Sequence, residues 1–298
     1  MNNCKTLKPV LNAHAGGTYH GAKYTNCLQA FRHAYRNGAR SFEIDISVTK
    51  DGKFVASHEF CRVANITEQE FLGSKRRIGW FREVGISLNL FMIAEMAHSF
   101  PDVEIMFDLH FSLYKYQRAY RELAQSYDFK SVAQFFFQEV VSLGLFEHSV
   151  FECYSAEHII EAESLCRKLG RKGVKLQLKI DMRNREFPCL GGWKEYVDFC
   201  SSHSQIKAVS IPGDLLRQNA LVIAKFHQQG ILVYSTMWED ACDRILAQKL
   251  NIDYITVDSI RPYCWLEKVL VALMLFGWRR LRFGISNCVI HSKYRVRA

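Results

Sequence analysis

The segment that most constrains the fold runs from Arg40 to Glu59 and consists of two apolar stretches around an Asp-Gly pair at 51–52. Asp-Gly between alternating apolar runs is a strong hairpin signal. Glu43 and Asp45 share one face of the first strand, because the side chains of a strand alternate. Two such carboxylates are costly to bury without a cation or hydrogen-bond donors. Folding back at the turn brings His58 opposite this strand, so the hairpin predicts a cluster of two acids and an imidazole.

The composition is that of a globular protein from a reducing compartment. Of the 298 residues, 49% are hydrophobic and 23% are charged, which suits one large α/β barrel or two small domains. The ten cysteines are scattered without a CxxC pair, which argues against a zinc knuckle or a disulfide framework. The N-terminus lacks the apolar run of a signal peptide, and no stretch reaches the roughly 18 apolar residues of a membrane span. We therefore expect a cytoplasmic protein.

Strands and helices alternate along the chain. The pattern predicts strands near 10–14, 41–58 (the hairpin), 103–110, 149–154, 174–180, 206–211, 231–236 and 254–258. It predicts helices after Asn26, after Thr67, and near 88–99, 114–144, 156–169, 193–202, 213–229 and 238–249. Eight strand-helix units predict a closed (β/α)₈ TIM barrel with a hairpin extension after the second strand. An open doubly wound sheet is the alternative, and it would place fewer polar strand ends at one mouth.

The end of the chain differs from the rest in charge. We predict a barrel domain over 1–263, followed at 264–298 by a final helix and a tail rich in Arg and Lys. This segment is either the last barrel helix with a basic end or a helix that lies on an anionic membrane. The net charge of +9 also fits an anionic substrate. Nucleic acid is disfavoured, because the basic residues are not interleaved with aromatic residues in a known binding motif.

Polar residues collect at the carboxyl ends of the predicted strands, where barrel enzymes carry their chemistry. These residues are His14, Glu43, Asp45, Asp108, His110, Glu152, Lys179 and Asp258. The acids at 43, 45 and 108 form an all-oxygen set, which favours Mg²⁺ or Ca²⁺ over zinc. A plain ion pair of the hairpin acids with Arg40 or a neighbouring lysine is the alternative. A cation beside two histidines suits attack at phosphorus, with one imidazole taking a proton and the other giving one.

Five short motifs between about 10 and 60 share their order and spacing with one enzyme family. They are His14-Ala-Gly, Tyr24-Thr-Asn, Gly38-Ala-Arg-Ser-Phe-Glu-Ile-Asp, Thr49-Lys-Asp-Gly and Ser57-His-Glu. Together they resemble the glycerophosphodiester phosphodiesterase family, and weaker likeness continues through most of the predicted barrel. The resemblance implies a metal-dependent TIM-barrel enzyme of lipid metabolism that splits glycerophosphodiesters into glycerol 3-phosphate and an alcohol. It also implies His14 and His58 as the acid/base pair, and Glu43, Asp45 and Asp108 as metal ligands.

Two positions depart from the family pattern. Ala15 stands where the family usually has an arginine that contacts phosphate, and His110 stands where it often has a lysine. Both changes remove fixed positive charge. We expect Lys23, His110 and Lys179 to supply substrate contacts instead, and His20 is a further candidate. Two other hypotheses stay open: a lyase on the same barrel that yields a cyclic phosphate, and a catalytically silent binding module.

Overall fold

Eight parallel strands close into a barrel. The computed structural model describes residues 9–74, 76–78, 83–109, 111, 128–183, 189–236 and 241–260. Its strands are β1 Val10–Ala13, β2 Ser41–Val48, β3 Phe54–Ala56, β4 Arg76–Ile78, β5 Glu83–Gly85, β6 Glu104–Asp108, β7 Ser149–Cys153, β8 Lys175–Lys179, β9 Ile206–Pro212, β10 Leu232–Thr236 and β11 Tyr254–Val257. The main sheet runs β1-β11-β10-β9-β8-β7-β6-β2-β3, and β1 also pairs with β2. This last pairing closes the ring, which confirms the TIM-barrel prediction.

Helices follow the barrel strands on the outside. They are α1 Leu28–Arg36, α2 Phe60–Val63, α3 Glu68–Gly73, α4 Leu90–Ser99, α5 Phe129–Ser142, α6 Ala156–Lys168, α7 Trp193–Ser202, α8 Gly213–Gln218, α9 Leu221–Gln228 and α10 Ala241–Lys249. The helix predicted over 213–229 is two helices, α8 and α9. The β4–β5 hairpin was not predicted, because strands of three residues are too short to show a periodic pattern.

The hairpin extension has the predicted register. β3 is antiparallel to β2, with Ile46 opposite Ala56, and the Ser57 backbone N–H donates to the Asp45 carbonyl at 2.9 Å. At the turn, the Asp51 carboxylate accepts from the Thr49 hydroxyl at 2.6 Å. These contacts return the chain to Asp45, which is where His58 follows.

Aromatic side chains fill part of the layer between barrel and helices. Phe107 and Phe151, on neighbouring strands, stack with ring centroids 5.9 Å apart, and Phe136 from α5 meets Phe107 edge-on at 5.5 Å. Of the three consecutive phenylalanines at 135–137, Phe136 and Phe137 are buried, whereas the Phe135 side chain is 63% exposed. The helical period turns this one ring of the three outward.

The seam at which the ring closes carries a polar belt. Asn12 on β1 donates to the Thr256 hydroxyl on β11 at 3.1 Å and accepts from the Ser41 hydroxyl on β2 at 2.8 Å. All three residues are buried, so their hydrogen bonds satisfy polar atoms inside the barrel. Within the described part of the chain, no helix has the length and apolar character needed to cross a bilayer. The predicted tail at 264–298 lies outside the described residues.

Candidate active site

Three carboxylates from two adjacent strands meet at the carboxyl end of the barrel. Asp45 on β2 and Asp108 on β6 are partners in register, and Glu43 lies two residues earlier on the same face of β2. All three are buried. Each offers an oxygen within 4.8 Å of the oxygens offered by the other two. The cluster predicted from residue types is therefore present in the geometry, and it has the all-oxygen donor set that Mg²⁺ and Ca²⁺ prefer.

Asn26 holds one of these carboxylates. Its side-chain amide donates to Asp45 Oδ2 at 2.7 Å, and its amide oxygen accepts from the Asp45 backbone N–H at 3.1 Å. Asn26 was expected to cap α1, but Cys27 takes that place, its sulfur accepting from the Ala30 N–H. The backbone of Asn26 is left-handed, with φ of +47°, which asparagine tolerates better than most residues. Asn26 therefore orients Asp45, a contact between two distant elements that the motif alone did not predict.

Asp108 is held from the opposite side. The Tyr154 hydroxyl contacts both of its carboxylate oxygens, at 2.6 and 2.8 Å. The Lys179 ammonium donates to the Tyr154 oxygen at 3.1 Å, lies 3.5 Å from Asp108 and pairs with buried Glu152 at 3.0 Å. These carboxylates outweigh the effect of burial and raise the pKa of Lys179 well above its usual value. A fixed cation therefore stands beside the carboxylate cluster.

His14 lies at the end of β1, in the turn His14–Gly16. Its Nδ1 is 2.7 Å from Asp258 Oδ1, and its Nε2 is 3.9 Å from Glu43 Oε1. Lys23 Nζ is 2.6 Å from the other oxygen of Asp258. The turn needs Gly17, because that residue has φ of +98° and a Cβ there would lie 3.0 Å from the Ala34 methyl. The His-Ala-Gly-Gly motif thus serves to aim His14 into the mouth.

The two histidines lie against one aromatic ring. The His14 ring meets Tyr24 edge-on with centroids 4.7 Å apart, and the His58 ring lies 5.4 Å from the same tyrosine. His58 is exposed, whereas the His14 side chain keeps 23% of its surface accessible. Both imidazoles therefore contact the same tyrosine ring.

The carboxylates shape the protonation of the site. Burial opposes the charged form of His14, but Glu43, Asp258 and Asp45 outweigh it and raise the pKa of His14 to about 9. Burial raises the pKa of Glu43 to about 8; His14 and Lys179 oppose this rise, and Asp45 and Asp108 add to it. Without a cation the cluster therefore retains protons that an exposed carboxylate would lose.

The structure places most of the predicted site residues together. Lys179 borders the cluster through its ion pair with Asp108, and Lys23 pairs with Asp258, the partner of His14. His110 lies outside the described residues. Arg40 pairs with Asp102 at 2.5 Å, not with the hairpin acids, so the plain ion-pair alternative is wrong for Arg40. Asp258, to which the sequence pattern assigned no role, contacts His14. The parallel pairing of the first and last strands was the signal available for this contact.

Ala15 occupies the position of the usual arginine. It is fully buried and has a left-handed backbone, with φ of +46°. Its carbonyl accepts from the Asn26 N–H at 3.0 Å, which ties the turn after β1 to the loop that carries Asn26. The alanine side chain carries no charge, and Lys23 is the first lysine or arginine that follows His14 in the sequence.

Comparison with known proteins gives one sequence match and many structural ones. Residues 15–71 match the profile of the Glycerophosphoryl diester phosphodiesterase family. None of the curated proteins compared with the chain matches it significantly. A solved structure from Galdieria sulphuraria, provisionally assigned as a glycerophosphodiester phosphodiesterase, has a TM-score of 0.67 at 15% identity, covering 90% of this chain and 99% of its own.

Two further structures extend this likeness. A glycerophosphodiester phosphodiesterase from Parabacteroides distasonis has a TM-score of 0.63 at 14% identity, with 90% of this chain and 98% of its own covered. A phosphodiesterase from Oleispira antarctica, solved with the product sn-glycerol-3-phosphate, has a TM-score of 0.59 at 14% identity and covers 89% of this chain and 97% of its own. At such identities the structures establish the fold. The motif resemblance to the glycerophosphodiester phosphodiesterase family is thus confirmed by the sequence match over 15–71, on a barrel that shares its fold with solved enzymes of that name.

Proposed function

We propose that this protein hydrolyses glycerophosphodiesters to glycerol 3-phosphate and an alcohol, with the help of one divalent cation, Mg²⁺ or Ca²⁺. The observation that carries the proposal is the set of three buried carboxylates within 4.8 Å of one another, at the mouth that also holds two histidines. The sequence match over 15–71 and the product found in the Oleispira antarctica phosphodiesterase support the same reaction.

The residues present fit a divalent cation. Glu43 Oε2 is buried and has no hydrogen-bond partner among the residues that the structure describes. A buried carboxylate oxygen in this state is costly, and two more carboxylates beside it add repulsion. A cation held by Glu43, Asp45 and Asp108 would remove both costs. It would neutralise negative charge on the phosphoryl oxygens of the substrate.

The other groups of the mouth then have separate tasks. His14 and His58 form the acid/base pair, one taking a proton from the attacking water and the other giving one to the leaving alkoxide. Lys23 and Lys179 contact the phosphate and replace the fixed charge missing at position 15. His110 joins them in this proposal as a substrate contact. Tyr24 contacts both imidazoles and helps to hold the two proton carriers in place.

The test is an activity screen over several glycerophosphodiesters with EDTA, Mg²⁺ or Ca²⁺. We expect glycerol 3-phosphate to form with a cation and not with EDTA. His14→Ala and His58→Ala should lose activity while circular dichroism shows an intact barrel, because each removes a proton carrier. His33→Ala, which removes an exposed histidine on α1, is the matched control and should keep full activity. A full-rate His58→Ala enzyme would contradict the proposal.

A silent binding module is the second candidate, and the loss of fixed positive charge at Ala15 favours it. Retained cation affinity without turnover of any diester would support this candidate over the enzyme.

Phosphorus NMR of the product tests the lyase hypothesis, because a cyclic phosphate and glycerol 3-phosphate give different resonances. A higher KM in the Lys179→Met variant than in wild-type protein would support phosphate binding by that lysine.

Membrane association through the tail also remains a proposal. The basic residues of 264–298 suit an anionic surface. This arrangement fits a cytoplasmic enzyme that acts on a lipid-derived substrate at the membrane surface. Pelleting with anionic vesicles should fall in a 1–263 truncation. Equal pelleting of the truncated and full-length proteins would contradict the proposal.

A further inference from the structure

The closing seam of the barrel brings two distant residues together. On β1 and β11, Ala13 is the register partner of Val257, so the next residue of each strand, His14 and Asp258, emerges at the same height of the mouth. The two are 244 positions apart in sequence and 2.7 Å apart in space. Parallel pairing of the first and last strands is thus the cause of this contact.

The Asp258 carboxylate contacts two groups of the mouth at once. Its Oδ1 meets His14 Nδ1 at 2.7 Å and its Oδ2 meets Lys23 Nζ at 2.6 Å, and its side chain is only 9% exposed. A carboxylate can only accept a hydrogen bond, so the proton of this contact resides on Nδ1 of the imidazole. The other nitrogen, Nε2, then faces the carboxylate cluster, 3.9 Å from Glu43.

We propose that Asp258 is a positioning residue that fixes the orientation and the tautomer of His14, so that Nε2 is the nitrogen that exchanges a proton with the substrate. The inference rests on the proposed function, in which His14 is one of the acid/base pair. A carboxylate that accepts from the far nitrogen of an imidazole holds the ring in one pose and stabilises its protonated form. Asp258 does this from a strand that supplies none of the three metal-ligand candidates.

The same strand offers a matched control. Near the start of β11, Asp253 Oδ2 accepts from His227 Nε2 at 2.8 Å and from the Val233 backbone N–H at 2.7 Å. This is a second aspartate–histidine pair, far along the chain from the candidate metal ligands, and its backbone contact ties it to β10. Asp253→Asn therefore measures what the loss of such a pair costs the barrel.

The experiment combines NMR and kinetics on the full chain with Mg²⁺. In wild-type protein we expect a downfield, slowly exchanging proton on Nδ1 of His14 in ¹⁵N-edited spectra. Asp258→Asn should shift or lose this resonance and lower kcat by roughly 100-fold or more. Asp253→Asn should leave both the resonance and kcat unchanged. Lys23→Met should keep the resonance, because Asp258 Oδ1 remains in place.

Two results would overturn the inference. One is a wild-type His14 without a proton on Nδ1, a measurement that needs no variant to fold. The other is a folded Asp258→Asn enzyme with wild-type kcat. If wild-type protein turned over no glycerophosphodiester, the proposed function would fail, while the resonance would still report whether Asp258 holds His14.

Discussion

Lowering the pH should weaken cation binding at the carboxylate cluster, because Glu43 must lose a proton before it can act as a ligand. Burial raises the pKa of Glu43 to about 8 in the cation-free protein. Glu43 therefore carries a proton in most molecules below this pH, and a binding cation must displace it. Above this pH the carboxylate is already charged, and the affinity should no longer depend on its titration.

The size of the effect follows from the displacement of one proton. The apparent Kd should rise about tenfold for each pH unit below about 8. At about pH 6 the affinity should be roughly 100-fold below its plateau, a loss of about 2.7 kcal/mol of binding free energy. An exposed glutamate, with its ordinary pKa near 4.3, would show almost no dependence in this range.

Isothermal titration with Mg²⁺ or Ca²⁺, in buffers of different ionisation enthalpy, measures both the affinity and the protons released. Because His14 lowers the pKa of Glu43, the His14→Gln variant should show the same dependence displaced to higher pH. Its remaining proton release belongs to the cluster, since His14 no longer titrates. A wild-type Kd that is constant between about pH 6 and 9, or an unchanged pH slope in Glu43→Gln, would refute the reasoning.

The remaining predictions concern Asn26, which holds the Asp45 carboxylate, and the aromatic core. Asn26→Gly, which suits the left-handed backbone there, should lower cation affinity by roughly 10- to 100-fold in the same titration, because Asp45 loses its amide partner; unchanged affinity would contradict this. Phe136→Ala should lower the free energy of unfolding in urea by about 3–5 kcal/mol, because the ring is fully buried. Phe135→Ala, at the 63% exposed neighbour, should change it by about 0.5 kcal/mol or less; equal effects of the two would show the packing argument to be wrong.

Much of the fold could be predicted from local pattern. The Asp-Gly turn at 51–52 fixed the hairpin, because turn type and strand alternation set the register together. The eight strands were found within one or two residues, since each is an apolar run bounded by polar residues. The barrel order followed because alternating strands and helices leave few other arrangements.

The contacts that hold the site together were harder to predict. Asn26 looks like a helix cap, because capping is the commonest local use of asparagine before a helix, yet its partner Asp45 is on a different element. Asp258 follows a strand whose partner β1 is known only once the ring is closed, and the contact of Tyr154 with Asp108 depends on the pose of a long side chain. Such contacts depend on register and side-chain pose, which the local sequence does not encode.

The pairing of β1 with β11 has a consequence for synthesis of the protein on the ribosome. The candidate metal ligands and both imidazoles have all been translated by Asp108, whereas Asp258 follows only after Tyr254–Val257 has been translated. Until then the nascent sheet keeps two open edges, at β1 and at β10, which are prone to pairing with other chains. A protein truncated before β11 would therefore carry nearly all the candidate active-site residues. We expect it to aggregate instead of showing weak activity.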